Sequence, residues 1–190
     1  MSDSIITKKA LAMSMKTLME KMPFNKINVG HICDMCDLNR KSFYYHFRDK
    51  YDLVNWIYYT EFIETIQNQL YVDGWIFLND ICKYFYENRP FYINAFEVSG
   101  QNSFQDYFRE VLHPFVFNYL KEILASDEND ENLEFFSIFF ADAFIVAIER
   151  WLKETPCLPP DDFTNLLKTS VSGLAKKIVC DMNDDHSITL

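Results

Sequence analysis

The side chains best suited to chemistry in this chain of 190 residues stand together between positions 39 and 50. The run Asn39-Arg40-Lys41-Ser42-Phe43-Tyr44-Tyr45-His46-Phe47 brings two cations, a hydroxyl, two phenols and an imidazole into one short stretch. On a helix, Phe43 and Phe47 are four apart and turn inward together. Arg40, Lys41, Tyr44 and Tyr45 are then left on the outer face. Such a face suits base edges in a DNA major groove, where a guanidinium bonds guanine with two donors and a flat ring packs on a thymine methyl. Ser42, His46 and Lys50 suit the phosphates that flank such a groove.

Other clusters carry less. Cys33-x-x-Cys36 beside His31 looks like part of a zinc site, but zinc takes four ligands and no second Cys/His pair follows nearby. The five cysteines (33, 36, 82, 157 and 180) form no even framework, so reduced thiols are expected. The four histidines (31, 46, 113 and 186) lack metal-binding spacing. There is no glycine-rich phosphate loop and no nucleophile elbow. The residues therefore point to no enzyme activity, no cofactor and no metal.

The elements that must position this face follow from spacing and punctuation. Leu11, Met15, Leu18 and Met22 mark one stripe of a first helix over 4–22, with Lys8, Lys9 and Lys16 off the stripe toward solvent or phosphate. Asn28 is placed to cap a second helix over 29–36, and Asn39 a third over 40–47. Between them Asp37 stands where the turn needs a positive φ, which Asp tolerates better than most residues. Gly30 leaves the start of the second helix without a side chain to reach a base. A fourth helix runs from 49 or 50 to about 70. Further helices are expected over 75–87 (with Ile76, Ile81, Tyr84 and Phe85 facing inward), 91–98, 103–124 around Pro114, 133–153 and 161–182, with an acidic loop at 126–132. Helix 133–153 is apolar on two sides, through Leu133, Phe136 and Phe140 and again through Phe135, Phe139 and Val146, so the second side needs a partner. The expected class is all-α, with about nine helices.

Charge divides the chain in the same place. Residues 1–51 carry nine Lys/Arg against five acids, a net +4, while residues 52–190 carry nine against 23, a net −14, within a total of −10. A basic head attracts phosphate and an acidic body is repelled by it. We therefore expect an N-terminal DNA-binding domain over 1–51 and a separate acidic domain over 52–190, which the resemblance described next implies to be regulatory and dimerising. The N-terminal residues show no secretory pattern, and no apolar run approaches the roughly 20 residues that span a bilayer, so a cytoplasmic location without membrane contact is expected.

The residues also match a family. The run Ile32-Cys33-x-x-Cys36-Asp37-Leu38-Asn39-x-x-Ser42-Phe43-Tyr44-Tyr45-His46-Phe47-x-Asp49-Lys50-x-x-Leu53 resembles the DNA-binding head of the TetR family of bacterial transcription regulators. Cys33 and Cys36 stand where that family usually has alanines, Asp37 where it has the turn glycine, and Asn39 where it has the capping serine. The resemblance implies a TetR-like fold, in which a three-helix helix-turn-helix head precedes a helical body. It also implies a homodimer built from the last two helices of each subunit, with Phe135, Phe139, Val146, Leu167, Val171, Leu174 and Ile178 at the interface. Two heads would then enter successive major grooves of a near-palindromic double-stranded DNA operator, and the fourth helix would transmit the signal.

Within that family, the body resembles the Firmicutes activators of dihydroxyacetone-kinase operons. The similarity lies in Tyr84-Phe85-Tyr86-Glu87-Asn88, Pro90-Phe91-Tyr92 and Gly100-Gln101-Asn102-Ser103-Phe104. It implies a co-activator protein related to a subunit of that kinase, docked on the body. The alternative is a repressor released by a small apolar ligand held among the aromatic residues of the middle segment, Trp75 and Phe77 among them.

Overall fold

A computed structural model describes residues 3–63, 73–97, 103–124 and 131–186, with side chains beyond Gly173 outside that description. The helices are α1 (Asp3–Met19), α2 (Val29–Met35), α3 (Arg40–His46), α4 (Lys50–Tyr58), α5 (Gly74–Glu87), α6 (Arg89–Phe96), α7 (Phe104–Leu124), α8 (Glu131–Lys153) and α9 (Pro160–His186). A 3-10 turn, Phe24–Lys26, precedes α2, and α4 runs into a wider π-helical turn, Tyr59–Ile63. The described residues thus form nine α-helices and no strand, as the sparse Gly and Pro and the helical spacing imply. The expected extension of the fourth helix to 70 and most of the acidic loop at 126–132 fall outside the described residues.

The chain forms two compact units, one from 1–70 with 87–108, the other from 71–86 with 109–190. In the first unit, α1 buries Leu11, Met15, Leu18 and Met19 along its stripe. The helix stops at Met19, short of Pro23, because the amides of Lys21 and Met22 both bond the Leu18 carbonyl in a closing turn. The link from α2 to α3 has Asp37 at φ 55°, the left-handed conformation the sequence implied. It is closed by the Leu38 amide on the Cys33 carbonyl at 3.0 Å, a helix-terminating bond that satisfies an otherwise orphaned acceptor.

Lys16 does not face solvent as its position off the stripe suggested. Its Nζ donates to Glu61 at 2.7 Å and to Asn88 at 3.3 Å, tying α1 to the π-helical turn and to the start of α6. Asn94 adds a bond from Nδ2 to the Met19 carbonyl at 2.8 Å. Behind these ties, Tyr58 is fully buried with its ring edge-on to Tyr92, Phe104 and Phe108, at centroid separations of 6.2, 5.3 and 6.0 Å. Such edge-to-face packing is the arrangement that ring quadrupoles favour.

In the second unit, α5 buries Trp75, Leu78, Ile81 and Phe85, and Phe77 stacks on Phe115 at 3.6 Å. Ile76, expected inside, is 56% exposed. It lies roughly 100° around the helix from Trp75, off the buried stripe, where apolar character alone does not bring it inward. Pro114 lies within α7, where it removes one backbone donor. Trp151 of α8 anchors the far end. It is stacked on Phe163 at 4.4 Å with planes 3° apart, and its Nε1 donates to the Leu158 carbonyl at 2.9 Å. Asn79 and Lys83 of α5 both donate to Asp161 at the start of α9, at 2.8 and 3.1 Å. The buried Cys82 thiol on α5 is pushed up to about 12 by burial, so it stays protonated at neutral pH.

Trp151→Ala removes both the stack and the indole hydrogen bond from a fully buried site. We expect a loss of about 3–5 kcal/mol in unfolding free energy, measured by urea denaturation. A loss below 1 kcal/mol, well under that range, would show that Trp151 does not anchor α8 to α9.

Candidate nucleic-acid interface

The third helix is only seven residues long, too short to hold itself. Its position is set by burial and by a cap. Phe43 is fully buried and Phe47 nearly so, with Phe47 edge-on to Trp56 at 5.6 Å. Lys8 Nζ lies 5.6 Å from the Phe47 ring centroid and 5.5 Å from that of Trp56, so this lysine also serves the head's interior. Asn39 Oδ1 accepts from the Ser42 amide at 2.9 Å and from the Ser42 hydroxyl at 3.3 Å.

With Phe43 held inside, the opposite face is fixed outward. Arg40 and Lys41 are exposed, and Tyr44 and Tyr45 are 59% and 81% exposed. His46 and Ser42 are half-buried at the edge of this face, with His46 edge-on to Tyr45 at 4.9 Å. The four residues expected to meet bases therefore share one surface. It is cationic at its N-terminal end and aromatic toward its C-terminal end.

The helix before it is held by a cap of unusual composition. Asn28 Oδ1 accepts from the His31 amide at 3.0 Å, while His31 Nδ1 faces the Asn28 amide at 3.4 Å, making a reciprocal capping box. His31, which the sequence offered as part of a metal cluster, thus serves as the return arm of the cap. Cys36 donates its thiol to the Ile32 carbonyl at 3.3 Å. Cys33 is buried, with its pKa raised first by burial and then by the neighbouring Cys36 and Asp34. Among the described residues no group of three or more His, Cys, Asp or Glu is placed to hold a metal.

Lys50 departs from the role expected of it. Its ammonium turns into the head and donates to the carbonyls of Phe24 and Ile27 at 2.8 and 2.6 Å, 4.3 Å from the Phe24 ring centroid. Desolvation lowers its pKa. The reason is local: the end of the Phe24–Lys26 turn presents carbonyls that a cation satisfies. Two of its three donors are thereby taken up by the chain. The N-terminus of α4 is likewise occupied, since Asp49 Oδ1 accepts from the amides of Tyr51 and Asp52, both at 2.9 Å. Asp49, at the expected start of the fourth helix, is thus its N-cap, and an Asp directly before a helix is the usual signal for such a cap.

The second outward surface lies on α8 and α9. Phe135, Phe139 and Val146 are 65%, 56% and 62% exposed, the second apolar side inferred from spacing. On α9 the placement differs from expectation. Val171 is buried within the chain, Leu167 is half-buried, and Leu166 is 57% exposed. The stripe through 163, 167 and 171 faces inward because Phe163 is stacked on Trp151. The side chains of Leu174 and Ile178 lie outside the described residues.

The family model for the TetR-type transcriptional regulator C-terminal region matches residues 75–173, more than half of the chain. The chain belongs to the TetR family of transcriptional regulators. A curated relative, the HTH-type dhaKLM operon transcriptional activator DhaS of Lactococcus lactis subsp. lactis (strain IL1403), is 31% identical over 111 residues. That match spans 57% of this chain and 57% of the relative's length. A solved structure titled dihydroxyacetone kinase operon activator DhaS superposes with a TM-score of 0.62 at 24% identity, covering 88% of this chain and 97% of its own. A TetR transcriptional regulator from Streptococcus agalactiae superposes with a TM-score of 0.69 at 22% identity, covering 88% of this chain and 94% of its own. The family model covers the TetR-type body; the head is assigned from its own residues and fold.

Lys50→Ala removes two charge-assisted bonds from the head. We expect it to lower unfolding free energy by about 2 kcal/mol, seen as a lower urea midpoint with an unchanged slope. An unaltered midpoint would show that the two carbonyl contacts contribute nothing to stability.

Proposed function

We propose that this chain is a sequence-specific DNA-binding regulator acting as a homodimer on a near-palindromic operator. Residues 1–51 would serve as the DNA-binding part and 52–190 as the regulatory and dimerisation part. The observation that carries this reading is the outward face of α3, with Arg40, Lys41, Tyr44 and Tyr45 exposed on a helix whose opposite side is locked by Phe43. Arg40 is the residue suited to a guanine edge, and the two tyrosines to thymine methyls and sugar. Ser42 and His46 are assigned to phosphates. The exposed Phe135, Phe139 and Val146, with Leu166, support pairing through α8 and α9, since large apolar side chains grouped on one face favour coverage.

We further propose that the chain activates a dihydroxyacetone-kinase operon together with a kinase-like co-activator protein. The 31% identity to an activator of such an operon supports this. So does the interior of the second unit. The apolar recess bounded by Trp75, Phe115, Tyr119, Phe140 and Phe144 has a volume of about 30 Å³. That is room for about one or two waters. Drug-sized ligand pockets run to about 300–1,000 Å³. The rings around Trp75 leave too little space there for a drug-sized effector, which favours a signal delivered by a protein; the wider recess of about 690 Å³ among Phe139, Val146, Trp151 and Leu166 lies on the outward apolar side of α8. No helix among the described residues is long and apolar enough to cross a membrane.

Selection of bound sequences from random double-stranded DNA tests the first proposal. We expect enrichment of a palindrome with half-sites about one helical turn apart. No enrichment would end the regulator reading. Thermal denaturation separates the two signal routes: stabilisation by a dihydroxyacetone-kinase-like protein is expected, and stabilisation by small metabolites alone would reverse the assignment.

A further inference from the structure

We infer that Gly30 is a specificity-determining position, because its missing side chain seats the Arg40 guanidinium and so sets the base that this arginine reads. The inference rests on the DNA-binding reading of the α3 face. Gly30 is buried within α2, where helix propensity alone favours alanine. Its backbone is not in the left-handed region, so conformational freedom does not account for it. Space does. A Cβ built at Gly30 would stand 2.8 Å from Arg40 Nη2, 3.5 Å from Arg40 Cζ and 2.9 Å from Asn28 Oδ1. The first and last of these are closer than real Cβ contacts come, so something must shift.

Which atom yields follows from the capping bonds. Asn28 Oδ1 is held by the His31 amide at 3.0 Å, and the Asn28 amide faces His31 Nδ1 at 3.4 Å, so retreat of the asparagine would open the start of α2. The guanidinium is the far end of a long, exposed side chain and moves more readily. A methyl group at position 30 therefore unseats Arg40 and also presses on the Asn28 cap, since moving the guanidinium does not relieve the 2.9 Å approach to Asn28 Oδ1. Lying over Gly30, the planar guanidinium leaves α3 on the side of the α2 N-terminus, which sets the side from which its donors approach a base. Displaced, it approaches the groove from another angle with more rotamers open to it. Gly30 thus contributes no base contact of its own and directs the contact made by a residue ten positions later.

The test is a double-mutant cycle read by sequence selection and affinity on the full chain: wild type, Gly30→Ala, Arg40→Ala and the double variant. Gly30→Ala is expected to change base preference at one position per half-site, the position where Arg40→Ala also loses preference. It should weaken the wild-type site by about tenfold, the scale of one two-donor base contact. In the Arg40→Ala background, Gly30→Ala should leave base preference unchanged, and any loss of affinity there, from pressure on the Asn28 cap, should be equal on all sequences. An unchanged preference in Gly30→Ala, or equal shifts in both backgrounds, would overturn the inference. Should Gly30→Ala not fold, the wild-type chain still decides. Nuclear magnetic relaxation of the Arg40 Nε–Hε group should show more restriction than that of the exposed Arg150 on α8, and equal mobility would overturn the seat. Failure of the wild-type chain to enrich any sequence would remove the DNA-binding reading itself, an outcome distinct from an indifferent Gly30→Ala.

Discussion

The head depends on the burial of one ring. Phe43 sits at zero exposure in the middle of a seven-residue helix that has no stability of its own. Its insertion fixes the rotation of α3 about its axis, and rotation decides which side chains face outward. Phe47, edge-on to Trp56, and the Asn39 cap remove the remaining freedom at either end. Arg40, Lys41, Tyr44 and Tyr45 are exposed as a consequence of what their neighbours bury. A small polar helix face is thereby presented with the rigidity of a core.

Satisfied hydrogen-bond termini recur through the same region. Asn28, Asn39 and Asp49 each cap the helix that follows, the Leu38 amide closes α2, and Lys50 closes the Phe24–Lys26 turn. Short helices leave a large share of their backbone groups unpaired, so a head of short helices needs partners at nearly every end. Residues that look like ligands by type alone, His31 and Lys50 above all, are drawn into this task.

The second unit obeys a different constraint. Its interior is filled by rings, from the Phe77–Phe115 stack to Trp151 over Phe163, leaving little unfilled volume around Trp75. A core filled in this way transmits displacement, because close-packed side chains have few alternative arrangements. What it leaves outside, on α8 and α9, is a set of large apolar side chains whose burial requires another surface.

Much of this was legible in the chain itself. Helix number, the left-handed Asp37, the outward α3 face and the two-sided apolar α8 follow from spacing and turn chemistry, because both act over a few residues. Lys16 bonded to Glu61 and Asn88, and Lys50 bonded to Phe24 and Ile27, do not follow, since their partners lie 23 to 72 residues away. The same holds for Val171, turned inward by the stack of Phe163 on Trp151, and for Ile76, left outside by the register of α5. By itself, the sequence determined which segments are helical and which short helix carries the cations and tyrosines, for periodicity is a local property. Only the tertiary structure decided which cations face outward and which close a carbonyl, and why position 30 has no side chain. Those outcomes depend on atoms brought together by the fold.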